Sequence, residues 1–304
     1  MPIPFTNLDV FTSTRYLGNA LAIIRPPTPT TLSQTQKLQI SKEFNLSEVV
    51  FLHLPESVDS NPKELTIDIF TSAAEVPFAG HPTIGTAFFV INHLGLKSVQ
   101  ALITKAGRIP IEISGGGKGV SAEIPHDVHV HAKTFPFRDF STGEETQCPV
   151  VSIVNGMAFV LVSLPHLADL GRAGEVKNLN PGTYDVGHLD EGWRSGLCST
   201  MYYVDVGGDG EGRRRYRTRM FDTEAEDSGT GSASCALACY LAMKWSKEEG
   251  SGRREIKFGF EQGVEMGRRN EIFVDVTTKG NGVGVEKVVL SGEAVKVMEG
   301  TLEV

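Results

Sequence analysis

What this chain lacks narrows it first. It has no apolar run near the ~18 residues that a helix needs to cross a bilayer. Its opening residues, Met1-Pro2-Ile3-Pro4-Phe5, hold neither a charged segment nor a long apolar one, so no secretory leader is read there. Its four cysteines, Cys148, Cys198, Cys235 and Cys239, lack the spacing of a disulfide framework. With no leader, that predicts reduced thiols and a cytoplasmic location. Positive charge is not in excess. A formal net charge of −8 gives a phosphate backbone no basic face, so nucleic acid is not an expected partner, and neither is a membrane. No nucleotide loop is present: Gly115-Gly116-Gly117 precedes neither a Lys-Ser/Thr pair nor a helix pattern and reads as a hairpin turn. The one basic run, Arg213-Arg214-Arg215 with Arg217 and Arg219, alternates with strand residues. It reads as a solvated edge strand rather than an anion site. His129 and His131 fall on one side of an extended segment that also holds His126, but no second ligand cluster stands near them, and no metal is expected. Cys235 and Cys239 are four apart on one helix face and read as packing.

What is present is a pattern that occurs twice, half a chain length apart in 304 residues. The first copy runs from Phe70 through Glu75-Val76-Pro77-Phe78-Ala79-Gly80-His81-Pro82-Thr83 to Ala87. The second runs from Phe221 through Glu224-Ala225-Glu226-Asp227-Ser228-Gly229-Thr230-Gly231-Ser232 to Ala233. Each begins where an alternating strand ends, passes an acidic loop and a glycine turn, and enters a helix of small and apolar residues. A duplicated unit of this kind predicts two similar domains and two exposed helix N-termini facing one cleft. Free N–H groups and the partial positive charge at a helix start suit a small carboxylate or phosphate.

Around these repeats the periodicity predicts many short strands. Asn7–Thr12 and Ala20–Arg25 pair as a hairpin, and a helix covers about Leu32 to Phe44, capped by Thr31 or Ser33. Strands follow at 48–54, 64–70, 99–104, 109–114 and 119–124, with a helix from Pro82 to about His93. Residues 125–147 show no period and read as an inter-domain connection. The second half predicts strands at 150–154, 157–164, 201–206 and 215–221, a helix from Thr230 to Ser246, and four further strands. The polar, glycine-rich stretch from Ala173 to Thr200 gives weak signals.

Several residues could carry chemistry. Glu48 opens the apolar strand Val49-Val50-Phe51-Leu52. A carboxylate at such a mouth is partly desolvated, which moves a carboxyl toward the range useful in acid–base work. The plainer reading is a Ser-Glu turn at a helix–strand joint. His81 stands at one helix start and Asp227 at the matching place before the other. Either is a plain cap or a group that meets substrate. Gly80, Gly229 and Gly231 let backbone approach a ligand, and Ser232 adds a hydroxyl.

The chain resembles the PhzF-like phenazine-biosynthesis proteins, which share the diaminopimelate epimerase fold. The resemblance rests on Leu8-Asp9-Val10-Phe11-Thr12 with Gly18-Asn19-Ala20-Leu21-Ala22, on Leu46-Ser47-Glu48-Val49-Val50-Phe51, on Glu75 to Ala87, and on Glu226-Asp227 with Thr230-Gly231-Ser232-Ala233. It implies an α/β (α+β) protein of two pseudo-symmetric epimerase-like domains, 1–128 and 129–304, each a mixed sheet wrapped around a central helix. The last strand, about 294–304, packs with the first domain. It implies a cofactor-independent isomerase that works in an inter-domain cleft on a small carboxylic acid of secondary metabolism, without metal or cofactor. Glu48, His81 and Asp227 take the catalytic positions, and Ser47, Gly80, Gly231 and Ser232 the substrate-binding ones. Family members are often dimers, so the resemblance allows a homodimer, although the sequence itself shows no interface. Epimerases of this architecture use a cysteine at each helix start; the matching positions here are about Ala79 and Ser228, so two-thiol chemistry is not expected. Ser228 and Gly229 depart from the family's usual proline and alanine, which predicts a looser turn around Asp227. Ala173–Gly196 is longer than in compact members and offers a substrate lid. The competing readings are a dehydratase or other proton-shift lyase, and a non-catalytic small-molecule or partner-binding protein.

Overall fold

The structure is a computed structural model and describes residues 2–28, 32–56, 61–223, 225–248, 252, 254–280 and 284–303. Thr31, the alternative helix cap, and Glu224 of the second repeat lie outside them. The chain forms two compact units, Met1–Ile124 with Leu290–Val304, and Pro125–Val289.

The first unit runs β1 (Ile3–Val10), β2 (Asn19–Ile24), α1 (Gln34–Phe44), β3 (Val49–His53), β4 (Glu64–Phe70), β5 (Glu75–Val76), α2 (Gly80–Phe88), β6 (Ala101–Thr104), β7 (Gly107–Ser114) and β8 (Gly119–Glu123). The β1–β2 and β3–β4 pairs, and the β6–β7–β8 meander, are antiparallel. The β2–β3 and β4–β6 pairs are parallel. A parallel neighbour needs a crossover, and α1 and α2 are those crossovers. Ser33 starts α1 by a capping box with Gln36, and Asn45 stops it in the left-handed conformation at φ 50°. Strand β3 is buried at Val49, Val50, Phe51 and Leu52, on both faces rather than one. One face meets α1 and a cluster of Ile3, Ala22, Ile24, Val49, Phe51 and Phe70.

Helix α2 packs against β1, β2, β3 and β8, and Gly80 to Ala87 are all buried. Small residues allow that: a Cβ on Gly85 would stand 2.5 Å from Leu21 Cδ2 and 2.7 Å from Val10 Cγ2. The helix begins two residues earlier than the sequence indicates, so Pro82 is its third residue. Proline is tolerated there because first-turn N–H groups have no intrahelical partner. It continues as a π-helical turn over Phe89–His93.

The second unit runs β9 (His129–Val130), β10 (Phe135–Arg138), β11 (Glu145–Cys148), β12 (Val150–Val154), β13 (Met157–Ser163), α3 (Leu167–Val176), β14 (Leu197–Gly208), β15 (Arg214–Phe221), β16 (Glu226–Asp227), α4 (Gly231–Glu248), β17 (Glu255–Gln262) and β18 (Asn270–Thr278). Its pairings repeat the first unit: β12–β13 antiparallel, β13–β14 parallel, β14–β15 antiparallel, β15–β17 parallel, β17–β18 antiparallel. Helix α4 packs on β12, β13, β17 and β18 as α2 does in its own sheet. The chain leaves this unit along β19 (Val285–Gly292), and β20 (Ala294–Leu302) pairs antiparallel with β1.

Three sequence readings are corrected. Residues 125–147 are not a bare connection: they carry β9, on β12, and the β10–β11 hairpin. Helix α3 has no counterpart in the sequence pattern, which Gly171 and Gly174 dilute; Gly174 leaves room for the Arg219 guanidinium, 3.1 Å from where a Cβ would be. The arginine run is not an edge strand. β15 lies between β14 and β17, and its arginines meet Asp275 (2.8 Å from Arg213), Glu271 (3.8 Å from Arg215), Glu261 (2.7 Å from Arg217) and Glu226 (2.7 Å from Arg219).

Candidate functional site

Strand register brings the candidate residues of the first unit to one end of its sheet. Val49 opens β3 opposite Phe70, which closes β4, so Glu48 stands beside the turn that follows β4. That turn is closed by Thr71 N–H donating to the Ala74 carbonyl (2.9 Å) and leads through β5 to α2. There the Glu48 carboxylate and His81 meet, Oε2 to Nδ1 at 3.5 Å. Glu48 keeps 21% of its side chain exposed and His81 only 5%. His81 Nε2 is buried and has no hydrogen-bond partner among the described residues. The imidazole thus has the half-buried Glu48 carboxylate on its Nδ1 side. Gly80 is buried at the start of the same helix, and Ser47 is exposed. No side chain caps α2: Ala79, its N-cap, is extended. Glu75 is occupied elsewhere, by Lys105 at 2.7 Å.

The second unit repeats this end. Asp222 N–H donates to the Ala225 carbonyl (2.9 Å), as Thr71 does to Ala74. Asp227 pairs with Met220 as Val76 pairs with Ile69. Thr83 Oγ1 donates to the Ala79 carbonyl (2.8 Å), and Ser234 Oγ to that of Thr230 (2.9 Å). These equivalences correct one assignment: the counterpart of His81 is Ser232, and that of Asp227 is Val76. Within the chain, the counterpart of the Ala79 cap is Thr230. Asp227 is therefore an addition of the second half. Its Oδ2 accepts from Thr230 Oγ1 (2.6 Å), and its backbone carbonyl from Gln262 Nε2 (2.9 Å). Gly231 is buried and Ser232 half-buried in the first turn of α4.

The turn around Asp227 is not loose. Asn270 Nδ2 donates to the carbonyls of Ser228 and Arg268, each at 2.6 Å. Its Oδ1 stands 2.3 Å from where a Cβ on Gly229 would sit. Glycine fits here because a buried amide fills the space. Gln262 Oε1 accepts from Thr230 N–H (3.0 Å) and completes the brace. Gln262 and Asn270 carry no sequence signal, since they stand at the ends of strands far from Asp227 in the chain.

Register also gives Glu48 a counterpart. Thr200 opposes Phe221 as Val49 opposes Phe70, which puts Ser199 at the matching place. Ser199 Oγ donates to Asp222, a carboxyl that the sequence reading passed over. Burial raises the proton affinity of Asp222, the nearby charge of Asp227 adds to it, and the Ser199 hydroxyl opposes both. All four cysteines are buried, and burial pushes the Cys148 thiol up to about 11 and that of Cys198 to about 12. Neither Ala79 nor Thr230 offers sulfur, so the two helix starts hold no thiol pair.

A family model described as phenazine biosynthesis-like protein matches residues 8–300. The chain belongs to this family. The phenazine biosynthesis-like chain is 29% identical over 308 residues to a trans-2,3-dihydro-3-hydroxyanthranilate isomerase of Pseudomonas chlororaphis, with 97% of each chain covered. It superposes on a PhzF-family protein of Bacillus anthracis with a TM-score of 0.71, at 19% identity and full coverage of both chains. It shares its fold with a hydroxyproline epimerase of Agrobacterium vitis, with a TM-score of 0.63 at 15% identity, covering 99% of this chain and 92% of that one. The family places it among isomerases that act on small molecules.

Proposed function

We propose that the chain is a cofactor-independent isomerase of a small carboxylic acid in secondary metabolism, with Glu48 as the proton carrier. The observation that carries this is the Glu48–His81 pair at the mouth of β3. Glu48 takes a proton from one carbon of the substrate and returns it to another, so it ends in the state in which it began. His81 supports the charge that develops in between, and its contact with Glu48 is of the length that tightens when substrate arrives. The α2 start, capped by no side chain, receives the substrate carboxylate. Asp227, braced by Thr230 and Gln262, is read as a polar contact to substrate, with Ser232 and Gly231 beside it. Ser47, exposed next to the base, is read as a further contact. Among the described residues no helix is long and apolar enough to cross a membrane.

The test is deuterium uptake from solvent into trans-2,3-dihydro-3-hydroxyanthranilate and a panel of cyclic and β-hydroxy carboxylic acids, followed by mass spectrometry. Label is expected with the natural chain, and Glu48→Gln should lower its rate about a thousandfold. Equal labelling by both proteins would remove Glu48 as the base.

A further inference from the structure

The histidine run lacks a further ligand within its own segment, and the fold supplies one. Asp190 comes from the polar stretch after α3, 61 residues beyond His129, and its carboxylate Oδ2 lies 2.8 Å from His129 Nε2 and 3.8 Å from His131 Nδ1. One donor atom from each of the three residues lies within 4.8 Å of the others, the one such group of three among the described residues.

The surroundings prepare these atoms as ligands. The Asp190 N–H donates to His131 Nδ1 (3.2 Å), so that nitrogen carries a lone pair. The proton of the neutral ring is then on Nε2, which donates to Ser152 Oγ at 2.9 Å. A histidine ligand fixed through its other nitrogen is the usual second contact of a metal site. β9 pairs with β12, placing His129 opposite Ser152, and the His131 N–H donates to the Val150 carbonyl (2.9 Å). The His129 ring stacks on Trp193 with centroids 4.6 Å apart, and the Asp190 carboxylate accepts from Ala132 N–H (3.2 Å). All three ligands are thus held by neighbours that take no part in binding.

We propose that His129 Nε2, His131 Nδ1 and the Asp190 carboxylate bind a divalent first-row transition metal of the zinc type, with water in the fourth position. Bonds of about 2.0–2.1 Å in a tetrahedron set donors roughly 3.3 Å apart, and the two distances to Asp190, 2.8 Å and 3.8 Å, fall on either side of that. Two imidazoles and one carboxylate suit zinc, nickel or copper rather than calcium or magnesium. Binding requires the His129 Nε2 proton to leave or to move to Nδ1, and it replaces the weak bond from Asp190 N–H. His129 and Asp190 each keep about a third of their side chains exposed (33% and 30%), which leaves the ion a way in. Its effect is to fasten the stretch between α3 and β14 onto β9.

The test uses tag-free, chelator-treated full-length protein, titrated with Zn(II) by calorimetry and with Co(II) by visible absorption. One equivalent of each should bind. His129→Ala and Asp190→Asn should each weaken affinity at least about tenfold and abolish the intense cobalt bands of a four-coordinate site. Buried thiols keep the cysteines from competing while the protein is folded. Asp190→Asn preserves shape and an acceptor for Ala132, so circular dichroism of that variant separates lost binding from lost fold. Absence of a saturable single equivalent, or wild-type affinity in both folded variants, overturns the proposal.

Discussion

Gly229 shows how much one absent atom can matter. A methyl group there would collide with the buried Asn270 amide, whose two 2.6 Å bonds leave it little freedom to move. Gly229→Ala should therefore cost about 1–3 kcal/mol. Asn270→Ala should cost a similar amount by leaving carbonyls unpaired. The double variant should be no less stable than Asn270→Ala alone, because the clash disappears with the amide. Denaturant unfolding of the four proteins measures this, and simple additivity of the two costs would refute it. The sequence exposed Gly229 as a departure from the family pattern, yet it pointed to slack where the fold has a filled space. The partner residue stands on another strand, and no local pattern announces it. Glu48 and His81 were legible because each sits at a strand or helix boundary. Their meeting depends on the β3–β4 register, which only pairing supplies.

The strand–turn–helix unit is the element in which the two halves agree best and diverge most usefully. Its backbone bonds recur, including the hydroxyl bond to each helix cap, while Ser199 and Asp222 in the second copy stand where the first has Glu48 and Thr71. Asp222 gives this turn a pH dependence. A carboxyl that holds its proton more tightly folded than unfolded contributes fully at low pH, and that contribution is lost as pH rises through the raised value. Asp222→Asn should abolish the loss, so the stability of the variant relative to the natural chain should climb as pH rises above the ordinary carboxyl range of about 4. Chemical denaturation across that range gives the slope; parallel curves for the two proteins would refute it. Local signals identified elements with strong punctuation, such as the Ser33 cap of α1. They failed for α3, where two glycines make way for packing, and for β15, whose charges are matched by acids on β16, β17 and β18.

At the scale of the whole molecule, the pairing of β20 with β1 governs the first unit. Phe5 faces Gly300 and Ile3 faces Leu302, so the sheet that holds Glu48 is incomplete without residues from the far end. A chain ended after Gly292 should lose the cooperative unfolding of the first unit while the second keeps its slowly exchanging amides. Hydrogen exchange read by mass spectrometry follows the two separately, and equal protection in both would argue against this dependence. The same pairing has a consequence for biosynthesis. A ribosome reaches β20 some 290 codons after β1, roughly 15–60 seconds later at 5–20 residues per second. The half encoded second can mature while the half encoded first still waits, its opening strand exposed to whatever chaperone or neighbouring nascent chain reaches it before its own partner emerges.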